Sequence, residues 1–460
     1  MYNGKMNKDL SVYLGVSKGK PLNWNPKQEK NPHLITVGGS GSGKTETLKA
    51  IMLELKKSKV SSLILDFHND FKIFADNLVQ IDKATLHPLE VQINEKPLDV
   101  CYKVSKMIAN VFVLGDVQEA IIREAIKVFY IKSGIKDLKK ENDGTIELMP
   151  FSYFRDIIFD TPIQNQGVPK LLAKISVLFD VDLFMNADGT SISLDTIIKN
   201  LSVIELLKFP TDEVKALVAD LLLKKLINFL YIKGKSEDYW LYVVIDEAHR
   251  MMYPGSPVEL LLRESRKYGV GIILASQRPT DFSETILANA GTIIAFQESL
   301  DKDAVFLSKQ LRIPKVNFQK LKTSGLGYCL FSSKDEAEKV QITSVKDRKE
   351  YQEIAKNFDE EERSDYFNKE LKRIKKEKDR YNNLEESNKK QEIKIKELEK
   401  EISLINGTLE RKEYLINKHD IETKSQQKEI IRLSHENGKL TEKLELRDEK
   451  IEKLEKKLKK

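Results

Sequence analysis

The feature that most constrains the fold is a glycine-rich loop near the start of the chain. Residues 38–45 read GGSGSGKT and satisfy the pattern G-x-x-x-x-G-K-[ST] in full. Leu34 to Val37 is a short, mostly apolar run typical of a buried strand, and Glu46 to Leu55 has the apolar spacing of a helix. Strand, loop and helix in this order predict a P-loop, in which the loop turns at the tip of a strand.

Such a loop predicts a nucleotide site. Glycines let backbone N–H groups point at phosphates, and the N-terminus of the following helix adds positive potential there. We expect Lys44 to reach the β- and γ-phosphates of ATP and Thr45 to ligate Mg²⁺. The candidate nucleotide-binding residues are Gly38, Gly39, Ser40, Gly41, Ser42, Gly43, Lys44 and Thr45.

A second stretch, residues 243–279, supplies the groups that hydrolysis requires. An apolar run ends in Asp246-Glu247, and a second apolar run, Val270 to Ala275, is followed by Ser276 and Gln277. Asp246 can hold Mg²⁺ through its water shell, and Glu247 can polarise the attacking water. Gln277 places an uncharged polar group at a neighbouring strand tip, where it could sense the γ-phosphate.

Further apolar runs at residues 60–65, 202–206 and 292–296 predict more strands, separated by helical patterns. This alternation predicts an α/β fold with a parallel sheet and helices on both faces. Active groups should collect at the carboxyl ends of the strands. We assign residues 1–30 to a β-hairpin leading into the motor region, 31–350 to that region with a mostly helical insertion at about 83–200, and 359–460 to a separate tail.

The tail predicts a long α-helical coiled coil. After Pro314 the chain has no proline, and from about Asp359 it is dominated by Lys, Glu, Ile, Leu and Asn. A seven-residue apolar repeat, with Ile frequent at position a and Leu at d, favours a parallel two-stranded form, as does asparagine at a. Polar residues at d interrupt the seam at Lys412, His419 and Gln426. The a positions are Phe367, Ile374, Tyr381, Asn388, Ile395, Ile402, Leu409, Ile416, Thr423, Ile430, Asn437, Leu444, Ile451 and Leu458.

Composition sets outer limits. The formal net charge of +6 on 460 residues is only mildly basic and does not by itself indicate nucleic acid. Cys101 and Cys329 lack metal-ligand spacing, so neither a zinc site nor a disulfide framework is predicted. We expect a cytoplasmic protein without direct membrane insertion, since no run resembles a signal peptide or reaches the length of a membrane span.

Taken together, these motifs resemble the HerA and FtsK branch of P-loop motors. The resemblance covers roughly residues 12–335 and includes ILDFHNDF at 64–71, VVIDEAHR at 243–250, RESRKYGVGIILASQRP at 263–279 and ILANAGTIIAFQ at 286–297. It implies a RecA-like ATPase core, a ring of six subunits, and ATP-driven translocation of double-stranded DNA through the pore. The chain departs from that family in lacking room before Gly38 for the β-barrel of typical HerA proteins, and in its tail.

The resemblance also assigns roles. Asp246 and Glu247 match the magnesium-binding and catalytic acid positions, and Gln277 matches the sensor. Arg266 lies where the family places an arginine that reaches the neighbouring subunit's nucleotide. Arg263, Arg250 and Arg278 are the rival candidates for this role.

For four other residues, the sequence allows two interpretations of their role. His68 and His249 are either ligand contacts or structural histidines near a phosphate site. Asp66 and Asp70 either support the Mg²⁺ shell or cap the strand end. The lysine-rich patch at residues 136–140 faces either DNA or solvent.

Three functions fit the sequence. The first is a hexameric, ATP-driven translocase on double-stranded DNA, in DNA-end processing, defence or mobile-element maintenance. The second is an export ATPase of conjugation or secretion type, working with a membrane partner. The third is a P-loop scaffold in which the nucleotide controls assembly and the coiled coil is the working part. Separately, the tail could pair subunits or recruit a nuclease or other protein partner. The complete set of hydrolytic residues disfavours the scaffold, and the coiled-coil tail leaves no second RecA-like lobe for a DEAH-box helicase.

Overall fold

The structure is a computed structural model of the chain. It describes residues 10–79, 81, 84–144, 146–160, 167–181, 184, 190–191, 194–298, 300–333 and 336–458. For residues 84–85, 190–191, 196, 322, 359–390, 392–393 and 457–458 it describes the backbone alone. Residues 1–9 of the expected hairpin, the expected insertion boundary at Lys83, and the side chains at the first four predicted a positions of the tail lie outside this set.

Thirteen strands occur in the described part of the chain. They are β1 (Val12–Ser17), β2 (Lys20–Trp24), β3 (Leu34–Val37), β4 (Ser61–Asp66), β5 (Asn77–Val79), β6 (Ala84–Thr85), β7 (Thr190–Ser191), β8 (Leu201–Glu205), β9 (Leu241–Ile245), β10 (Val270–Ser276), β11 (Thr292–Ala295), β12 (Tyr328–Ser333) and β13 (Glu336–Ile342). β6 and β7 form a separate parallel pair, and the other strands join in one sheet.

The large sheet has the order β2-β1-β13-β12-β11-β3-β10-β9-β4-β8-β5. From β11 to β5 all neighbours are parallel, whereas β11-β12, β12-β13, β13-β1 and β1-β2 are antiparallel. Every residue of β3, β4, β8, β9, β10 and β11 is buried, as expected for parallel strands covered on both faces. The prediction of an α/β fold with a parallel sheet is confirmed.

Helices cover this sheet and form the insertion. They are α1 (Lys44–Lys57), α2 (Pro97–Val111), α3 (Asp116–Lys132), α4 (Tyr153–Phe159), α5 (Gly167–Ile175), α6 (Leu194–Ile197), α7 (Asp212–Lys233), α8 (Pro257–Glu264), α9 (Glu284–Asn289), α10 (Asp301–Leu311), α11 (Lys315–Lys322) and α12 (Lys349–Leu458). Among the residues described between 84 and 200, helices α2 to α6 predominate.

One buried arginine ties the antiparallel edge together. Arg348, 7% exposed, donates through Nη1 to the carbonyl of Tyr13 at 3.1 Å and to Oε1 of Glu54 at 3.0 Å. Through Nη2 it donates to the carbonyls of Leu14 and Thr343, both at 3.3 Å. A guanidinium has enough donors to satisfy all four acceptors at once. Arg348 therefore links β1, α1 and the segment after β13.

The chain divides into two units, residues 1–360 and 361–460. The second unit consists of the continuation of α12, and its described side chains are all exposed. The predicted long C-terminal helix is thus confirmed, while its assembly as a coiled coil stays a prediction. Across the described residues, none of the helices is both long and apolar enough to cross a bilayer.

Candidate active site

The loop between β3 and α1 has a backbone that only glycine tolerates. The φ angle is 152° at Gly38 and 116° at Gly43. A Cβ atom on Gly38 would lie 2.6 Å from Cβ of Phe296, which packs beneath the loop. The ammonium of Lys44 donates to the carbonyl oxygens of Gly38 at 2.7 Å and Gly39 at 2.9 Å. The curl of the loop therefore brings Lys44 to its concave side, as the P-loop pattern predicts.

The residues just after β11 support this loop, a contact that the sequence did not predict. The Gly39 N–H donates to the carbonyl of Gln297 at 3.0 Å. The next residue, Glu298, is 2% exposed, and its Oε1 finds no hydrogen-bond donor among the described residues. The available signal was the polar pair after the apolar run at 292–296, at the carboxyl end of a predicted strand.

Thr45 and Asp246 meet at the tips of α1 and β9. The Thr45 hydroxyl donates to Oδ2 of Asp246 at 3.0 Å, and the Glu247 N–H donates to Oδ1 at 2.9 Å. Burial raises the pKa of Asp246, and these two hydrogen bonds oppose that rise. A hydroxyl and a carboxylate side by side are hard oxygen ligands, and Mg²⁺ in phosphate sites needs only one or two from the protein. The residues present therefore fit a magnesium ion.

Glu247 adopts an unusual backbone conformation immediately after β9. Its φ is 53°, in the left-handed region that costs a non-glycine residue about 1–3 kcal/mol. The Nε2 of Gln277 lies 3.2 Å from both carboxylate oxygens, and Nδ1 of His249 lies 3.2 Å from Oε2. β10 is the neighbour of both β9 and β3, which explains why Gln277 reaches Glu247. Strained residues of this kind cluster at active sites.

Lys44 carries its charge among carboxylates. It is 6% exposed, and this burial lowers the pKa of its ammonium below the usual value. The negative charges of Glu247, Asp246 and, when it is ionised, Glu298 oppose that lowering, in this order of size. Lys44 can bind a phosphate group, whereas the acidic groups around it would repel one. This arrangement therefore suits a polyanion that arrives with a divalent cation, whose charge the acidic groups attract.

Asp66 at the tip of β4 has a different role. It is 1% exposed and accepts backbone N–H groups from His68 at 3.2 Å, Asp70 at 3.1 Å and Phe71 at 2.8 Å. Asp70 pairs with Lys49 at 3.0 Å. Of the two proposed roles of Asp66, these bonds favour the strand-end cap, because both carboxylate oxygens already accept hydrogen bonds from the backbone of the turn.

The arginine candidates differ in their surroundings. Arg250 pairs with Asp212, Nε of Arg278 lies 3.7 Å from Asp303, and Nη2 of Arg263 lies 3.7 Å from Glu264. Among the described residues, Arg266 has no carboxylate within ion-pair distance, and its side chain is exposed.

Arg266 also lies apart from the other predicted groups. It is in a short 3₁₀ turn, Ser265–Tyr268, just before the amino end of β10. Seven residues of strand separate that end from Gln277, so Arg266 lies roughly 20 Å from the loop at about 3.3 Å per residue. The structure thus brings Lys44, Thr45, Asp246, Glu247 and Gln277 to one edge of the sheet and leaves Arg266 at the opposite edge.

Comparison with known proteins gives a consistent picture. Residues 30–226 match the family model described as "Helicase HerA, central domain". The DNA double-strand break repair helicase HerA of Sulfurisphaera tokodaii is 28% identical over 292 residues, which cover 59% of this chain and 57% of that protein. The DNA import protein CedB of Sulfolobus acidocaldarius is 26% identical over 326 residues, 67% of this chain and 51% of CedB. The chain spans just over half the length of these relatives.

Two solved structures share the fold. VirB4 of Thermoanaerobacter pseudethanolicus aligns with a TM-score of 0.60 and 18% identity, over 74% of this chain and 98% of that one. The bacterial conjugative coupling protein TrwB aligns with a TM-score of 0.50 and 12% identity, over 72% of this chain and 89% of that one. The sequence resemblance is confirmed: residues 30–226 match the model of the HerA central domain, and the motor region of this chain is similar to HerA helicases over about 60% of the chain.

Proposed function

We propose that this chain is an ATPase that assembles into a ring, of six subunits as the family resemblance implies, and uses ATP hydrolysis to translocate double-stranded DNA. The observation that carries the proposal is the division of the catalytic set. Five groups gather at one edge of the sheet, while the arginine without a carboxylate partner among the described residues lies roughly 20 Å away at the other edge. A second subunit is the source from which such an arginine can complete the site.

The hydrolytic step follows from the groups at the loop. Lys44 and the loop N–H groups bind the β- and γ-phosphates of ATP. Thr45 and Asp246 would hold Mg²⁺, which neutralises charge on those phosphates when bound. Glu247 accepts the proton of the attacking water through a carboxylate that Gln277 and His249 hold in place.

Gln277 is suited to report the state of the site. Its amide now donates to both oxygens of Glu247 from the tip of the adjacent strand. The amide can donate to either group, and His249 stays beside the Glu247 carboxylate, so Gln277 can turn from Glu247 toward a γ-phosphate. In this way Gln277 would release the catalytic carboxylate when ATP is present.

Double-stranded DNA is the substrate we favour. The relatives that match the motor region include HerA proteins named as helicases of DNA double-strand break repair. The alternative is an export ATPase working with a membrane partner, which the likeness to the DNA import protein CedB favours. Stimulation of the purified chain's ATPase by duplex DNA in the absence of membranes, weakening steeply with salt, would favour the translocase, since the alternative requires a membrane partner. We place the protein in the cytoplasm, where its buried thiols Cys101 and Cys329 would remain reduced.

The first experiment tests the catalytic carboxylate. Glu247→Gln keeps the side-chain size but cannot accept a proton, so we expect nucleotide binding to persist while turnover falls by ~10²-fold or more. Glu237→Gln, an exposed glutamate away from the site, is the matched control. Full ATPase activity in Glu247→Gln would show that another group activates the water.

A second experiment tests action between subunits. Arg266→Ala should abolish hydrolysis without weakening ATP binding to isolated subunits, because the guanidinium acts on a neighbour's nucleotide. Lys44→Ala should also be inactive, because it disables the subunit's own nucleotide site while leaving its Arg266 intact. Mixing the two variants should restore activity at sites that combine an intact Lys44 with a neighbour's intact Arg266. Arg263→Ala is the control, and inactivity of the mixture would contradict the proposed trans role.

A further inference from the structure

The described tail carries an uncovered apolar stripe, which polar residues at 412, 419, 423 and 426 interrupt in the middle. Between residues 394 and 456, 12 of the 18 large exposed apolar side chains fall on a or d positions of the heptad, although these make up two positions in seven. Ile395, Leu398 and Ile402 begin the stripe with exposures of 54%, 45% and 56%, and Ile451 and Leu454 end it with 44% and 60%. A stripe of this length in water indicates a surface that another helix covers.

The charges beside the stripe identify that helix. In a parallel, in-register pair, each g residue faces the e residue five positions later in the partner. Lys394 then faces Glu399, Lys443 faces Asp448, and Lys450 faces Glu455. The remaining g–e combinations between 394 and 455 each include an uncharged residue, so no like charges meet. The segment is complementary to itself.

A shift of one heptad loses this match. In one direction Glu401 would face Glu413, and Glu436 would face Asp448. In the other direction Glu401 would face Glu399, with a second acidic pair at 422 and 420. Asn437 at an a position adds to the discrimination, because its amide finds an amide partner only when both helices are in register.

An antiparallel pair is also disfavoured. In that arrangement e residues face e residues. The charged e positions from 399 to 455 are all acidic: Glu399, Glu413, Asp420, Asp448 and Glu455. Two charged e residues that met would therefore repel each other.

We infer that residues 394–456 pair in parallel and in register with the same segment of a second copy of this chain. The apolar seam supplies the association, the lysine and acid pairs at both ends set the direction, and Asn437 sets the register. This inference is independent of the proposed ATPase function, because it rests on the tail alone.

Cysteine cross-linking in the full chain tests the inference. Leu440 is a d residue at the seam, and Glu442 is two residues further, at the outward f position. We expect Leu440→Cys to form disulfide-linked dimers about tenfold or more faster than Glu442→Cys, since facing d positions of a parallel pair come within disulfide reach. The native Cys101 and Cys329 are buried and give little background.

Spin-label distances provide the second readout. One sample carries a spin label at Lys396→Cys and a second carries it at Glu452→Cys, both b positions. In each sample the distance between the labels on the two copies should be short. In an antiparallel pair centred on the segment, labels at 396 would lie roughly 80 Å apart at 1.5 Å per residue. Equal cross-linking of Leu440→Cys and Glu442→Cys, long distances, or absence of both signals because another protein covers the stripe, would each overturn the inference.

Discussion

The buried carboxyl of Glu298 should make the stability of the motor region depend on pH in a way that one substitution removes. Glu298 follows β11, is 2% exposed, and lies close enough to Lys44 for their charges to interact. Burial raises the pKa of Glu298 to about 8, the negative charge of Asp303 adds to the rise, and Lys44 opposes it. The folded protein thus prefers the protonated carboxyl.

The magnitude follows from the linkage between protonation and folding. The ordinary pKa is 4.5, which we take for the unfolded chain, and the folded value is about 8. At 1.36 kcal/mol per pKa unit, this gap corresponds to ~5 kcal/mol. Because the folded pKa is raised, this contribution is fully present below pH 4.5 and is lost as the pH rises through about 8. Of this ~5 kcal/mol, about 3 kcal/mol is lost between pH 6 and pH 9.

Glu298→Gln tests this reasoning because glutamine imitates the protonated carboxyl at every pH. Thermal unfolding without nucleotide, from about pH 5 to about pH 9, should show the variant increasingly more stable than the parent chain as pH rises. At roughly 2 °C or more per kcal/mol, the difference in Tm should grow by several degrees. Glu237→Gln should follow the parent chain. Parallel curves for Glu298→Gln and the parent chain would show that Glu298 is ionised in the folded protein.

Three further substitutions have defined outcomes. Arg348→Ala removes the buried partner of the Glu54 carboxylate, which keeps only the longer 3.4 Å contact with Lys57, so urea unfolding should show a loss of ~3–5 kcal/mol. Gly269→Ala, at φ 73° with a Cβ 2.1 Å from the Asp238 carbonyl, should lower stability by about 2 kcal/mol or more in the same assay. Gln277→Ala removes a hydrogen bond to a charged group, ~1.5–3 kcal/mol, so kcat should fall ~10- to 100-fold with nucleotide affinity retained in equilibrium titrations.

The sequence was most informative where local pattern and chemistry coincide. The strand before Gly38 and the strand before Asp246 are short apolar runs followed at once by polar residues. In a parallel sheet the chain must leave each strand at the carboxyl edge, so strand ends that are distant in sequence meet there. The 3.0 Å contact of Thr45 with Asp246 follows from this rule.

Contacts that depend on packing could not be predicted in this way. The support of the loop by Phe296 and Gln297 requires the order of β11 and β3 in the sheet, and the sequence alone does not fix that order. The same holds for the cap at Asp66, whose three backbone donors are set by the turn that follows β4. The antiparallel strands β12 and β13 were missed because neither run is apolar throughout. β12 has three buried residues, Cys329–Phe331, but ends in half-buried serines, and in β13 only Val340 is buried.

The position of β10 gives a physical reason for neighbouring sites to act together in the proposed ring. Arg266 precedes this strand and Gln277 follows it. All seven residues between Val270 and Ser276 are buried, and parallel neighbours pair with the strand on both sides. Bending such a strand would break ladder hydrogen bonds and core packing, so its two ends move as one body. A shift at Gln277 on loss of the γ-phosphate would therefore displace Arg266 relative to the next subunit's nucleotide.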